Sequence, residues 1–426
     1  METPASIESA KHILHVFGII LVAGLACGVV ARKTRVPDVA ILLIAGMLLG
    51  PAVAGWLDVR TDSTLNQLIL IFGASYILFD GGASLRLSVL KEVWITITVL
   101  ATLGVVITAA ITGLAAHWVL GLSPLVALLL ASAIASTDPA TLVPVFRQIR
   151  IKDRVAQTVM SESAFNDATG AILTFAVLAV ASGHGEFSVG GALADLAWKS
   201  AAGIAAGAVL GYLAALFIAH EKYDFLAEYA PVVSLMAVAG AYLSAEYLDA
   251  SGFMAVFVFG ILIGNKDVFG FAMAAGETKQ LDDFVVTTAF VMRVFIFILL
   301  GSQVDFTLIR EHWAGGVMVV LVLMFVARPL TVYACALPDR RARWTRAELA
   351  FLCWTRETGV VPAALVGVLA GLGVPQGDVF ASVVALAIVL TLLLQALPAR
   401  WLAGRLGLLE GAPEEEAAPA PSLVSG

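Results

Sequence analysis

Runs of about twenty apolar residues recur thirteen times between residues 12 and 405, and no other feature limits the fold of this chain as strongly. They fall at roughly 12–30, 37–57, 66–85, 92–120, 123–148, 154–182, 191–219, 227–247, 251–265, 281–303, 312–337, 347–373 and 378–405. A helix of about that length crosses the hydrocarbon layer of a bilayer while pairing its own backbone groups, which an open strand cannot do. The composition agrees, at 60% hydrophobic and 13% charged, where a soluble domain averages about 25% charged. These runs predict an all-α polytopic membrane protein with one transmembrane domain over residues 1–410. Residues 411–426, rich in Ala, Pro and Glu, read as a short disordered cytoplasmic tail. The N-terminus lacks the cationic start and cleavage site of a secretory signal, so the first span is expected to be retained.

Lys and Arg give the orientation. With the N-terminus outside, 18 of the 25 lie on the inner side, in the loops around residues 32–35, 86–91, 147–154, 222, 266–279, 340–346 and 400–405. Lys11, Arg60 and Arg310 lie outside, and Lys199, Arg293, Arg328 and Arg356 lie within spans. An even span count would mix the two sets. The basic residues sit in short loops, which leaves no surface for nucleic acid. Cys27, Cys335 and Cys353 fall in apolar segments and read as packing residues without metal spacing.

The sixth span carries Met160-Ser161-Glu162-Ser163-Ala164-Phe165-Asn166-Asp167, with two carboxylates and an amide at membrane depth. A charged group there costs at least ~2.5–3.5 kcal/mol, so a chain keeps it mainly for function. On a helix, Ser163 and Asp167 share one stripe and Glu162 and Asn166 the next, so all four can face one cavity. The bland alternative is a hydrogen-bond network joining helices, for which hydroxyls and amides would serve at lower cost.

Ser136-Thr137-Asp138-Pro139-Ala140 sits midway along the fifth span. Proline removes a backbone donor and disfavours helix at Asp138, freeing carbonyls that are tolerable only beside a cavity or within protein. The twelfth span has a comparable interruption, Thr355-Arg356-Glu357-Thr358-Gly359-Val360-Val361-Pro362. The two breaks lie seven spans apart. That spacing implies two six-span repeats of opposite orientation joined by a seventh span, and paired breaks in such repeats point to a transporter's ion site.

Asp80, near the inner end of the third span, reads either as a second cavity carboxylate or as an interfacial cap. Arg328 must be paired. Glu162 is the first candidate, and Arg356 is the alternative partner for that acid. Arg293 either neutralises another buried acid or snorkels to the interface. Lys199, near a span end, reads as snorkelling. Gly203, Gly207 and Gly211 suggest close helix packing.

In these residues the chain resembles the monovalent cation/proton antiporters, in particular the NhaP- and NHE-type sodium/proton exchangers, over almost all of residues 12–405. The resemblance rests on Ser136-Thr137-Asp138-Pro139, Glu162-Ser163 followed by Phe165-Asn166-Asp167, Phe79-Asp80-Gly81, Arg328, and Arg356 in the interrupted twelfth span. It implies thirteen helices, with a homodimer built on residues 12–85 and 191–303 and a mobile core from 92–182 and 312–405. It implies that Asp167 is the exchanging acid, and that Asp80, Ser163, Asp167 and the Thr137 carbonyl line the alkali-cation site. Asp138 and Asn166 would hold the crossing breaks, with Asp138 counted among the residues around the cation, and Glu162 would pair with Arg328. Asn166-Asp167 resembles the electroneutral branch. Three departures stand out: Asp80 where relatives often have Glu, Ala164 in place of a bulkier residue, and Glu357 after Arg356 where Gly is usual.

The expected activity is one-for-one exchange of Na⁺, or K⁺ or Li⁺, for H⁺ across a prokaryotic cell membrane, with no cofactor. Hard oxygen ligands suit alkali cations over soft metals. A cation channel, or a sodium-coupled symporter for an organic anion, are the competing classes. Residues arranged for enzyme chemistry, a nucleophile–base pair or a metal cluster, are not found in the sequence.

Overall fold

A computed structural model of the chain describes residues 5–34, 36–60, 63–138, 142–143, 145–146, 149–182, 189–219, 225–372, 374 and 376–410. Pro139, Arg35, Arg147, Lys222 and the tail from residue 411 lie outside the described residues.

Each of the thirteen apolar windows holds helix. The first three are α1 (Ala5–Thr34), α2 (Asp38–Leu49) and α3 (Thr64–Ala83). The fourth is α4 (Leu87–Val99), which passes through a π-helical turn at Leu100–Gly104 into α5 (Val105–Leu120). The fifth begins as α6 (Pro124–Ala133), and the sixth is α7 (Asp153–Ala181). The seventh to tenth are α8 (Val189–Ala219), α9 (Ala230–Tyr247), α10 (Gly252–Gly264) and α11 (Ala275–Ser302). The eleventh is α12 (Phe306–Val322), a π-helical turn at Leu323–Ala327 and α13 (Arg328–Ala336). The twelfth is split into α14 (Arg346–Trp354) and α15 (Val360–Gly371). The thirteenth is α16 (Gly377–Thr391), a third π-helical turn at Leu392–Ala396 and α17 (Ala399–Arg405). Among the described residues, eight helical segments are individually long and apolar enough to cross a bilayer.

The layout is two inverted six-helix repeats around the α8 span. Their correspondence reaches down to single turns: the π-helical turns at 100–104 and 323–327 lie in spans seven apart. Those spans touch each other, with Thr108 Oγ1 3.0 Å from Thr331 Oγ1.

Local chemistry sets the helix starts. Ser123 caps α6 ahead of Pro124, Ser251 caps α10, and Thr345 with Glu348 forms a capping box at α14. The second span is helical only to Leu49, short of the expected residue 57. Gly50 is extended and Pro51 cannot donate into a helix, so the following apolar residues form a turn instead.

Packing sorts the helices into two groups. In one, α10 lies against α3, α8 and α9, and α11 lies against α1, α2 and α3. In the other, α6 packs on α5 and α7, α4 on α7, and α16 on α12 and α15. The first group is held by close backbone approach. A Cβ on Gly301 would sit 2.9 Å from Gly46 Cα, and one on Gly203 2.8 Å from the Ser251 carbonyl oxygen. The glycine stripe of α8 is thus the face that meets α10.

Candidate cation site at the crossed helix breaks

The two interruptions meet inside the second group. After Ala133 the fifth span leaves helical geometry, and Ile134 to Asp138 run as turn and extended chain; Thr355 to Gly359 do the same in the twelfth. The two stretches are bonded to each other. Asp138 N–H donates to the Glu357 carbonyl at 3.0 Å. Val360 N–H, at the start of α15, donates to Asp138 Oδ2 at 3.1 Å. A carboxylate at a helix N-terminus meets unpaired N–H groups and the positive end of the dipole. Gly359 makes room for this contact, because a Cβ there would collide with the Asp138 carboxylate.

Arg356 works in the opposite sense. It is 1% exposed, and its guanidinium donates to the carbonyls of Ser136 at 2.8 Å and Ile134 at 2.6 Å. Those carbonyls are released by the end of α6, where a cation is favoured. Each break therefore neutralises the freed groups of the other.

The sixth span, α7, lies beside the crossing. Asn166 holds the fifth-span break in a two-point clasp: Thr137 N–H donates to Asn166 Oδ1 at 3.1 Å, and Asn166 Nδ2 donates to Thr137 Oγ1 at 2.8 Å. Thr137 Oγ1 in turn donates to Ser163 Oγ at 2.8 Å. Glu162, one position round the helix, forms a bidentate pair with Arg328: Nη2 donates to Oε2 at 2.9 Å and Nη1 bonds Oε1. Arg328 Nε also donates to the Leu352 carbonyl at 2.9 Å. The choice left open by sequence, between Arg328 and Arg356 as the partner of Glu162, is thus settled in the geometry for Arg328.

Asp167 is different. It is 3% exposed, and neither carboxylate oxygen has a hydrogen-bond partner among the described residues. It lines a cavity of about 430 Å³ that includes Gln67 of α3, Lys199 of α8, Glu246 of α9, Asp249 and Val360. At the far end, the Lys199 ammonium lies 3.2 Å from Asp195 and 4.0 Å from Asp249, so Lys199 spans two acids rather than only reaching for the interface. This acidic mouth was not legible in sequence, because Asp195 sits near the start of the seventh span, about fifty residues before Glu246 and Asp249 at the end of the eighth. Ser136, whose hydroxyl has no partner among the described residues, packs against Gly170 one turn beyond Asp167.

Asp80 is 3% exposed and lines a different cavity, of about 480 Å³, with Lys266, Asp267, Thr278 and Asp282. The structure brings Thr137, Asp138, Ser163, Asn166 and Asp167 together, and sets Asp80 in a chamber whose other charged walls come from loops and helix ends. Glu357 is fully buried, and its carboxylate oxygens have no hydrogen-bond partner among the described residues. Its neighbour Arg356 bonds the carbonyls of Ser136 and Ile134 instead.

Crossed half-helices that neutralise one another, beside a buried and unpartnered acid reached through a cavity, define a secondary ion transporter of the inverted-repeat class. Residues 17–404 match the family model of the transmembrane sodium/hydrogen exchangers, and the chain belongs to that family. It is a monovalent cation/proton antiporter. Na(+)/H(+) antiporter 1 of Methanocaldococcus jannaschii is 31% identical over 82% of this chain and 81% of its own length. K(+)/H(+) antiporter NhaP of Alkalimonas amylolytica is 28% identical over 93% of this chain and 67% of its own length. The solved structure of the M. jannaschii sodium proton antiporter MjNhaP1 at pH 8 superposes with a TM-score of 0.75, at 28% identity, over 94% of this chain and 99% of that one.

Proposed function

We propose that the chain exchanges Na⁺ for H⁺ one for one, and that Asp167 is the group for which the two ions compete. The observation that carries this reading is the pair of Asp167 oxygens, buried, without a hydrogen-bond partner among the described residues, and lining a cavity. A carboxylate holds a proton or an alkali cation but not both. Ser163, the Thr137 carbonyl and the nearby Asp138 supply the remaining hard oxygens around the transported ion. Asp80, in its own cavity, serves as an acid on the inner approach.

Coupling follows from charge. Loaded with either ion, Asp167 is neutral and its bundle can cross the low-dielectric barrier; empty and charged, it pays the desolvation cost and stays. The bundle of residues 92–182 and 312–405 moves against that of 12–85 and 191–303, and the second bundle forms the homodimer. The N-terminus lies outside and the loops rich in Lys and Arg face the cytoplasm of a prokaryotic cell. The similarity to the Alkalimonas relative favours K⁺ as the second reading.

The test is dissipation of a pH gradient in proteoliposomes on adding Na⁺, K⁺ or Li⁺, for the wild type and Asp167→Asn. The wild type should respond to Na⁺ most strongly, and the folded variant to none. Retained exchange in the variant would falsify the assignment.

A further inference from the structure

One buried ion pair joins two helices of the first group, α2 and α11, and includes none of the residues of the crossing. Arg293 of α11 donates to Asp38 of α2 at 3.0 Å, with the two residues 8% and 5% exposed. Arg293 also lies over the Phe290 ring, 5.7 Å from its centre. Yet Arg293 Nε and Asp38 Oδ1 are both buried without a partner among the described residues. An orphan donor and an orphan acceptor in a pair this enclosed are each costly, so the pair is incomplete as it stands.

Asp38 and Phe290 line a cavity of about 450 Å³. Its wall also holds Gly28 and Arg32 from α1, Ile149 from the end of the fifth span, and Arg400 from α17. Arg32 and Arg400 are exposed, and neither forms an ion pair among the described residues. Arg32 and Arg400 thus share this wall with Asp38, whose other carboxylate oxygen, Oδ2, is bonded to Arg293. The neighbouring surface of α1 is apolar and open, with Leu25 67% and Val29 48% exposed, as suits a helix facing lipid tails. Basic pockets between membrane helices on the cytoplasmic side attract anionic headgroups.

We propose that this cavity binds the headgroup of an anionic phospholipid of the phosphatidylglycerol kind. The phosphodiester engages Arg32 and Arg400, and a glycerol hydroxyl donates to Asp38 Oδ1. A zwitterionic choline headgroup offers neither the net negative charge nor the donor. Arg400 and Ile149 belong to the bundle proposed to move, whereas Gly28, Arg32, Asp38 and Phe290 belong to the one proposed to stay. A bound headgroup therefore ties the two and slows exchange; this consequence, unlike the binding, rests on the two-bundle reading.

The experiment compares the wild type with the double variant R32Q/R400Q. Both positions are exposed and outside the ion site, and thermal melting in detergent checks that the variant folds. Each arginine is worth about a fivefold preference for an anionic lipid, so native mass spectrometry should show phosphatidylglycerol retention falling roughly thirtyfold in the variant. In phosphatidylcholine vesicles the two proteins should exchange at the same rate. Adding phosphatidylglycerol should slow the wild type severalfold and leave the variant unchanged. Equal retention by both proteins, or preferred retention of phosphatidylethanolamine, overturns the site. Slowing by soluble glycerol 3-phosphate alone overturns the lipid as occupant. Retention without a change in rate overturns the tether, and leaves the role of Asp167 to its own variant.

Discussion

Arg328 and Glu162 show what one charged residue demands of a membrane protein. Sequence required a partner for the arginine, because a guanidinium keeps its proton and cannot stay bare at that depth. The structure supplies a fork-to-fork pair, closed by the Leu352 carbonyl. Replacing one member leaves the other buried and unmatched. Glu162→Gln should therefore destabilise the protein by about 3–5 kcal/mol, whereas a Leu and Met pair at 162 and 328 should recover most of that. Thermal unfolding in detergent measures both. Outside the membrane, Asp305 caps α12. The Thr307 hydroxyl, with the N–H groups of Thr307 and Leu308, holds its carboxyl below the usual carboxylate range. A lowered carboxyl stabilises the fold above its unfolded value, and that contribution is lost as pH falls through the folded one. Asp305→Ala should cost about 1 kcal/mol at neutral pH, and the gap to wild type should close in acid melts. Asp167 was legible in sequence because an acid in the middle of an apolar run has few structural uses. Asp38 was not, because an acid following proline at the start of a span looks like an ordinary first-turn residue; only the fold brings Arg293 to it.

At the scale of elements, both helix breaks were legible from Pro139 and from Thr355 to Pro362, since each puts helix-incompatible residues inside a span. What stayed hidden was how each break neutralises the other. The chain order says nothing of Arg356 reaching the end of α6, or of Asp138 reaching the start of α15. The π-helical turns at 323–327 and 392–396 each end two residues before a proline, Pro329 and Pro398, which cannot donate into the ladder, whereas the turn at 100–104 has no such mark and is visible only in its hydrogen bonds. Gly359 is the residue on which the crossing closes. A methyl group there pushes Asp138 off Val360 N–H and shifts Thr137, its neighbour in the site, by a fraction of an ångström or more. Misplacement of that order can cost about a hundredfold in rate. Gly359→Ala should accordingly lose exchange by roughly that factor, and losing a buried hydrogen bond to a carboxylate should lower the melting temperature as well. An exchange rate close to wild type in Gly359→Ala proteoliposomes would show that the crossing does not depend on this contact.

The whole molecule poses the question of net charge. In the proposed two-bundle cycle, Glu162, Arg328, Arg356, Glu357 and Asp138 stay with the core bundle, so whatever they carry outward they carry back. Only the occupant of Asp167 then differs between the two half-cycles. Position 166, beside it, is an amide already spent on Thr137 in both directions. A single acid that returns with a proton after leaving with Na⁺ moves no net charge. Were one charge left over per cycle, 100 mV would bias the cycle by about 2.3 kcal/mol, roughly fiftyfold. Proteoliposomes clamped with a valinomycin potassium potential of either sign, at balanced pH and Na⁺, should therefore show the same Na⁺-for-H⁺ rate as unclamped ones, and no current on a supported membrane. A rate that follows the sign of the potential would require a second titrating group to cross with the bundle. Glu357, buried on the same bundle and without a hydrogen-bond partner among the described residues, would be the first candidate.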